Sequence, residues 1–166
     1  MAFEQIAVIG AGAWGCALAN VITRAGRSVT LAARTRDGAA AIARQRTSPR
    51  LPGIALDPRI EVVATGSEHR RYDAILLAVP AQALRAAAQV LAPSIARGTP
   101  VVSCAKGLER GSCKFMTDVI AETLHKPQDS PPRSAPQPSV LIIRPISAAS
   151  RSAGPPRMCL RLRPAS

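Results

Sequence analysis

The stretch that most constrains this sequence is its beginning, where an apolar segment runs directly into three spaced glycines. Residues 6–15 read I-A-V-I-G-A-G-A-W-G, so four apolar residues precede Gly10, Gly12 and Gly15. An Ala/Leu-rich segment follows, and the whole predicts a strand, a tight turn and a helix in that order. This order, with glycines spaced G-x-G-x-x-G, indicates the first unit of a parallel α/β sheet.

Each glycine of this motif has a separate physical role in such a unit. We expect Gly10 to let the chain turn away from the strand and Gly12 to leave room for a ligand beside the backbone. We expect Gly15 to let the first helix pack closely on the sheet. The free N–H groups at the start of that helix would then bind the phosphates of a dinucleotide. A flexible Gly/Ala turn is the alternative, and the flanking strand and helix favour dinucleotide binding.

The remainder of the first 125 residues alternates between strand patterns and helical patterns. Predicted strands after the first are 28–33, 61–65, 74–79 and 100–103, and predicted helices are 14–25, 38–45, 81–91 and 112–124. Residues 47–60 hold three prolines and a glycine, which predicts an irregular connection. Strands and helices alternating in units of about 25 residues predict an α/β fold with a doubly wound parallel sheet, the Rossmann fold.

The composition changes after Leu124. Nine of the fifteen prolines fall in residues 126–166, and only residues 139–143, S-V-L-I-I, keep a strand pattern there. Such a segment buries too little apolar surface to offset the entropy of ordering it. We therefore divide the chain into a dinucleotide-binding domain at residues 1–125 and a Pro/Arg-rich irregular tail at residues 126–166.

The charge of the chain raises the question of a nucleic-acid partner. The net charge is +12, but half of it lies in residues 126–166, without a basic-helix or zinc-finger pattern. Aromatic residues make up only 2% of the chain, too few to stack bases. We therefore expect no nucleic-acid partner.

The cysteines and the hydropathy bear on where the protein works. The four cysteines show no C-x-x-C spacing, and we expect no signal peptide before the first strand. No apolar run reaches the roughly 18 residues that span a bilayer. We expect a reduced, cytoplasmic protein without a metal site or a membrane partner.

Three cations lie near the place where a doubly wound sheet binds its ligand, outside the carboxyl ends of the strands. Arg34 follows the second strand, where an acid would bind the ribose 2′-hydroxyl of NAD. Arg34 and the nearby Arg36 instead favour the 2′-phosphate of NADP. Lys106 follows the fifth strand and would hold a polar substrate near the nicotinamide. The alternative for all three is a solvated surface side chain.

Five sequence blocks together resemble a known family. They are I-A-V-I-G-A-G-A-W-G-C-A-L-A at 6–19, L-A-A-R at 31–34, L-P-G at 51–53, L-L-A-V-P-A-Q-A-L-R at 76–85 and C-A-K-G-L-E-R-G at 104–111. In this order they closely resemble the bacterial NAD(P)-dependent glycerol-3-phosphate dehydrogenases, over residues 3 to about 125. That family reduces dihydroxyacetone phosphate to sn-glycerol 3-phosphate, which feeds phospholipid synthesis.

The resemblance implies roles for particular residues. Ala13 and Trp14 would contact the cofactor at the glycine turn, and Arg34 would meet its adenosine ribose or 2′-phosphate. Lys106 would touch both the cofactor and the phosphate substrate. The implied cofactor is NADP or NAD, bound by Gly10, Gly12 and Gly15 together with these residues.

The resemblance ends in the last quarter of the chain. The family continues into a Ser-Gly-Pro-Ser/Thr-Phe substrate loop, a second, catalytic lysine and a helical substrate domain, whereas residues 140–146 read V-L-I-I-R-P-I. One hypothesis is a one-base shift of the reading frame near Ile142, because residues 142–147 read one base later can encode Ser-Ser-Gly-Pro-Ser. A natural disordered tail is the alternative, and the coding DNA decides between them.

Three functional hypotheses follow. The first is hydride transfer between NAD(P)H and dihydroxyacetone phosphate, with no catalytic residue assigned and little or no turnover expected from these 166 residues. The second is a non-catalytic NAD(P)-binding module. The third is another Rossmann reductase, of the ketopantoate reductase type.

Overall fold

The structure is a computed structural model that describes residues 3–67, 71–96 and 98–124, and the backbone of residues 140–142. We number the strands and α-helices of these residues in chain order. They are β1 (Gln5–Ile9), α1 (Ala13–Arg24), β2 (Ser28–Ala33), α2 (Arg36–Gln45), β3 (Thr47–Ser48), β4 (Leu51–Ala55), β5 (Glu61–Ala64), β6 (Ala74–Leu77), α3 (Ala81–Leu91), β7 (Val101–Ser103), α4 (Met116–Leu124) and β8 (Val140–Ile142).

Six of these strands form one parallel sheet in the order β5-β2-β1-β6-β7-β8. At the centre, Val8 of β1 lies opposite Leu31 of β2 and Leu76 of β6. From β1 the chain moves to one side of the sheet for β2 and β5, and to the other side for β6 and β7. The strand order therefore reverses between β1 and β6, which confirms the predicted doubly wound sheet.

Helices cover both faces of this sheet. On one face α1 and α2 bury Ala19 and Ile42 against the central strands. On the other face α3 and α4 bury Leu84 and Ile120. Each fully buried leucine or isoleucine side chain contributes about 1.5–3 kcal/mol to folding. Because both faces are covered, β6 is buried along its whole length and its sequence, A-I-L-L, shows no polar alternation.

Residues 47–60 are not the irregular connection that their prolines predict. They contain the antiparallel pair β3–β4, and Pro52 is tolerated there because an edge strand need not donate every N–H group. Asn20 of α1, itself buried, holds the end of the pair: its Nδ2 donates to the Ala55 carbonyl at 3.0 Å, and its Oδ1 accepts from the Asp57 N–H at 2.9 Å. The prediction was wrong because the hairpin is stabilised by α1 rather than by its own sequence pattern.

Two helix starts differ from the predicted ones by two residues or more. Helix α2 begins two residues before the predicted start at 38, because Thr35 caps it and accepts a hydrogen bond from the Gly38 N–H at 3.2 Å. Helix α4 begins at Met116 rather than at residue 112. The residues before it form a turn closed by an antiparallel bridge between Leu108 and Phe115, with Cys113 at φ 54°. The prediction of helix at residues 112–115 was wrong.

The predicted strand at residues 139–143 is present as β8, which pairs in parallel with β7. The predicted tail otherwise lies outside the described residues, so the boundary at residue 125 and the reading-frame hypothesis remain predictions. Within the described part of the chain, no helix has the length and hydropathy needed to cross a lipid bilayer.

Candidate functional site

The turn after β1 is shaped by Gly10. Its φ is +109°, a conformation that residues with a side chain rarely adopt. Its N–H donates to the Ala32 carbonyl at 2.8 Å, and a Cβ placed on it would lie 2.6 Å from the Ala78 carbonyl oxygen. Glycine is therefore required here both by the backbone conformation and by the closeness of the chain after β6.

Gly15 and Gly12 differ in what surrounds them. A Cβ on Gly15 would lie 1.8 Å from the Gly10 carbonyl oxygen, so the first turn of α1 rests directly on the turn after β1. A Cβ on Gly12 would meet nothing within 4 Å, and its φ of −76° is ordinary for any residue. The packing of the described residues therefore does not require glycine at position 12. Because this residue is glycine, open space is left beside the backbone.

This open space lies at the start of α1. Gly12 is the N-cap residue, so no side chain caps the helix, and the first turn contains no acidic residue. The first N–H groups of a helix have no partner within the helix and carry a partial positive charge. An anionic diphosphate fits these groups, because they offer it free donors, the positive end of the helix dipole and space at Gly12.

A residue that the sequence did not single out supports this loop. Ser48 of β3 is buried, and its hydroxyl donates to the Ala11 carbonyl at 3.2 Å and accepts from the Arg50 N–H at 3.3 Å. Burial raises the pKa of the neighbouring Cys16 thiol, and a hydrogen bond with Ser48 partly offsets that effect. The hairpin of β3 and β4 therefore supports the glycine loop, residues 10–15. The sequence did not reveal this hairpin because its prolines predict an irregular connection.

Trp14 connects the glycine loop to the end of β7. Trp14 is 44% exposed, and its side chain lies close to that of Cys104. Burial raises the pKa of the Cys104 thiol to about 11, although the nearby Trp14 acts to lower it. Cys104 is thus a neutral structural thiol at neutral pH, and Lys106 lies two residues beyond this contact.

The structure brings the predicted site residues to one edge of the sheet. Gly10, Gly12, Ala13, Trp14 and Gly15 lie at the carboxyl end of β1 and the start of α1. Arg34 follows β2 on one side, and Lys106 follows β7 on the other; both are exposed. In the described residues no group of three His, Cys, Asp or Glu side chains is arranged to hold a metal ion.

The loop that carries Lys106 contacts α3. Gln82 Nε2 donates to the Leu108 carbonyl at 3.0 Å, and Arg85 Nε donates to Glu109 Oε1 at 2.7 Å. These residues belong to the blocks A-Q-A-L-R and K-G-L-E-R-G, which the sequence identified as motifs without indicating that they touch. Their contact is a feature that sequence reasoning missed.

A doubly wound parallel sheet with an uncapped, glycine-opened helix start at its switch point defines the class of dinucleotide-binding domains. Comparison with known proteins narrows this class. The family model described as the N-terminus of NAD-dependent glycerol-3-phosphate dehydrogenase matches residues 5–131. The chain belongs to this family.

Two individual relatives agree with this assignment, and a third protein, of another family, shares the fold. A curated relative from Bradyrhizobium sp. strain BTAi1, named glycerol-3-phosphate dehydrogenase (NAD(P)+), is 59% identical over 120 residues, covering 72% of this chain and 37% of that protein. The solved glycerol-3-phosphate dehydrogenase from Coxiella burnetii is 27% identical with a TM-score of 0.67, covering 74% of this chain and 38% of the other. The ketopantoate reductase from Ralstonia eutropha JMP134 is also 27% identical, with a TM-score of 0.54, covering 70% of this chain and 37% of the other. The chain thus spans little more than a third of the length of these relatives.

Proposed function

We propose that this chain binds NADP(H) or NAD(H) at the start of α1 and supplies the cofactor-binding part of a glycerol-3-phosphate dehydrogenase. The reaction would be the interconversion of dihydroxyacetone phosphate and sn-glycerol 3-phosphate. The observation that carries the proposal is the open space at Gly12 in front of an uncapped helix start. Gly10 and Gly15 are needed by the protein's own packing, whereas glycine at position 12 serves a ligand.

The residues at this edge have complementary tasks in the proposed reaction. When bound, the nicotinamide supplies or accepts the hydride. The N–H groups at the start of α1 would hold the diphosphate, and the Lys106 ammonium would attract the phosphate substrate as a compact point charge. The Trp14–Cys104 contact supports this arrangement, since it joins the helix start to the segment that carries Lys106.

We further propose that Arg34 binds the 2′-phosphate of NADP. Arg34 is exposed directly after β2, and the Ala32 carbonyl two residues earlier accepts a hydrogen bond from the Gly10 N–H. A guanidinium at that position pairs well with a phosphate and offers no acceptor for the ribose 2′-hydroxyl donors of NAD. Tighter binding of NADPH than of NADH would support this role.

The first prediction tests the dinucleotide site through Gly12→Ser. The serine side chain occupies the open space, and its hydroxyl can cap the N–H groups that the diphosphate would use. We expect affinity for NADPH to fall about 10-fold or more, since several charge-assisted hydrogen bonds are weakened. The free energy of unfolding should stay within a few tenths of a kcal/mol of the parent, because serine is as good an N-cap as glycine or better.

Isothermal titration of both nucleotides measures the affinity, and thermal unfolding measures the stability. Ala83→Ser is the matched control, because it places a serine at an exposed position in the first turn of α3. No heat from either nucleotide on a folded parent sample, or equal affinity of Gly12→Ser and the parent, would contradict the proposal.

The same sample separates the enzyme from a binding module. Assayed by themselves, these 166 residues are expected to bind the cofactor and to show little or no oxidation of NADPH with dihydroxyacetone phosphate. Measurable turnover would place the reaction within this chain. Turnover with ketopantoate instead would favour the reductase that shares the fold.

A cytoplasmic location is a further part of the proposal. Cys16, Cys104 and Cys113 are free thiols, as expected of a protein in a reducing compartment. Fractionation of cells that produce the chain tests the location.

A further inference from the structure

The loop after β7 contains three residues with positive φ. We call residues 104–115 the Lys106 loop. Gly107 and Gly111 have φ of 96° and 83°, and Cys113 has φ of 54°. Glycine populates many conformations in the absence of other restraints. The position of the Lys106 ammonium therefore depends on what the rest of the loop is attached to.

Arg85 of α3 attaches to this loop by two bonds. Its Nε donates to Glu109 Oε1 at 2.7 Å and its second guanidinium nitrogen donates to Glu109 Oε2 at 2.8 Å. Two parallel bonds of this kind fix the angle between the side chains as well as their distance. The same guanidinium also donates to Glu122 of α4 at 3.1 Å, so one side chain ties the loop to both helices on this face.

Gln82, one turn earlier on the same face of α3, holds the backbone on either side of Glu109. Its Nε2 donates to the Leu108 carbonyl at 3.0 Å, and its Oε1 accepts from the Arg110 N–H at 3.0 Å. The amide thus uses both of its functional groups on the loop. Residues three apart on a helix share a face, so Gln82 and Arg85 act on the loop together.

The Arg85–Glu109 pair is partly shielded from water. The Glu109 side chain is 15% exposed and the Arg85 side chain 34% exposed. Arg85 and the Ser112 hydroxyl lower the pKa of the Glu109 carboxyl to about 2, so it stays ionised at neutral pH. By contrast, Arg59 makes the same two-bond contact with Asp57, at 2.9 and 2.8 Å, with its side chain 64% exposed.

We propose that Gln82 and Arg85 are positioning residues that fix the Lys106 loop and thereby hold Lys106 at the cofactor-binding edge of the sheet. The proposal rests on the proposed function and on the contact of Lys106 with the cofactor that the family resemblance implies. Lys106 is exposed at the start of the loop, and its range of positions is set by the attachments at residues 108–110. Removing those attachments should move the lysine without altering the sheet.

The first experiment measures the loop directly and needs no nucleotide. Arg85→Met keeps the apolar part of the side chain and removes its guanidinium group. Arg59→Met is the matched control, because it removes the Arg59–Asp57 ion pair outside the loop. Hydrogen exchange of peptides covering residues 105–115 should rise about 10-fold in Arg85→Met and stay unchanged in Arg59→Met. Equal exchange in Arg85→Met and the parent would overturn the proposal, whatever the nucleotide affinity of the chain.

The second experiment is a double-mutant cycle read by NADPH titration. Arg85→Met should weaken NADPH binding about 3- to 10-fold when Lys106 is present and have no effect in a Lys106→Met background. A merely structural Arg85 would weaken binding equally in both backgrounds, and that result would overturn the positioning role. Arg85→Lys should restore only part of the NADPH affinity lost in Arg85→Met, because an ammonium group cannot make the two parallel bonds that the guanidinium makes to Glu109.

A milder variant covers the case in which Arg85→Met fails to fold. Gln82→Met leaves the ion pair intact and removes two hydrogen bonds to the loop backbone. Amide hydrogen exchange at Arg110 and its neighbours should rise, and the melting temperature should stay close to that of the parent. Unchanged exchange there would overturn the role of Gln82. A parent that shows a protected loop but no NADPH binding would refute the proposed function and leave the attachment of the loop to α3 standing.

Discussion

The two loops at the cofactor edge are built by opposite means. The glycine loop, residues 10–15, is shaped by the absence of side chains: a Cβ at Gly10 or Gly15 would collide with backbone oxygen atoms at 2.6 and 1.8 Å. The Lys106 loop is held by polar side chains, with Arg85 and Gln82 of α3 contacting Glu109 and its neighbours. One loop depends on steric fit and the other on charge.

This difference has consequences for how each loop responds to change. Steric fit fails abruptly when atoms are added and is insensitive to pH and salt. Ion pairs weaken gradually and respond to both. The glycine loop should therefore be the more fragile to mutation, and the Lys106 loop the more sensitive to conditions.

The largest predicted effect is that of Gly15→Ala. The added Cβ cannot avoid the Gly10 carbonyl unless α1 moves away from the loop, which also disturbs the core beneath it. We expect the free energy of unfolding to fall by about 3 kcal/mol or more. Urea denaturation measures it, with Gly12→Ser as the control in the same loop. If Gly15→Ala loses no more free energy of unfolding than Gly12→Ser, the glycine loop accommodates the added Cβ. The contrast with the Lys106 loop would then be wrong.

An intermediate effect is predicted for Asn20→Ala, which tests the support behind the glycine loop. The change leaves the Ala55 carbonyl and the Asp57 N–H without their buried partner. We expect a loss of about 2 kcal/mol in the free energy of unfolding and weaker NADPH binding, since the hairpin carries Ser48.

Thr23→Val is the matched control for Asn20→Ala. Thr23 is buried in the same helix, and its hydroxyl has no hydrogen-bond partner among the described residues. Replacing it by valine should be neutral or slightly stabilising. Equal losses from the two variants would mean that general packing, and not the hydrogen bonds of Asn20, supports the hairpin.

The smallest effect is predicted for Glu109→Gln, and it depends on pH. The folded state lowers the pKa of the Glu109 carboxyl from 4.5 to about 2. Its contribution to stability is therefore complete above the ordinary pKa and is lost as the pH falls through the folded value. The melting temperature of the parent should exceed that of Glu109→Gln at neutral pH, and the gap should close as the solution is acidified toward pH 2.

Thermal unfolding of both proteins across this range measures the gap. A gap that stays constant with pH would mean that the shape of the side chain, and not its charge, holds the Lys106 loop. A gap that widens on acidification would contradict the assigned direction of the pKa shift.

The sequence by itself determined the order of the main strands and helices along the chain and the position of the glycine loop. Gly10, Gly12 and Gly15 could be identified because their spacing reports a local backbone geometry, and β6 because a strand covered on both faces is apolar throughout. Local rules also misplaced two segments. They predicted an irregular connection where α1 supports a hairpin, and a helix at residues 112–115 where the chain turns back on itself.

Only the tertiary structure decided how the two loops are supported. Ser48 and the Ala11 carbonyl are 37 residues apart, and Arg85 and Glu109 are 24 residues apart. Polar residues at such separations leave no periodic pattern, because their pairing depends on which helices and strands the fold brings together. The sequence therefore shows where a ligand can bind, and the packing of α1 and α3 shows what holds that site in place.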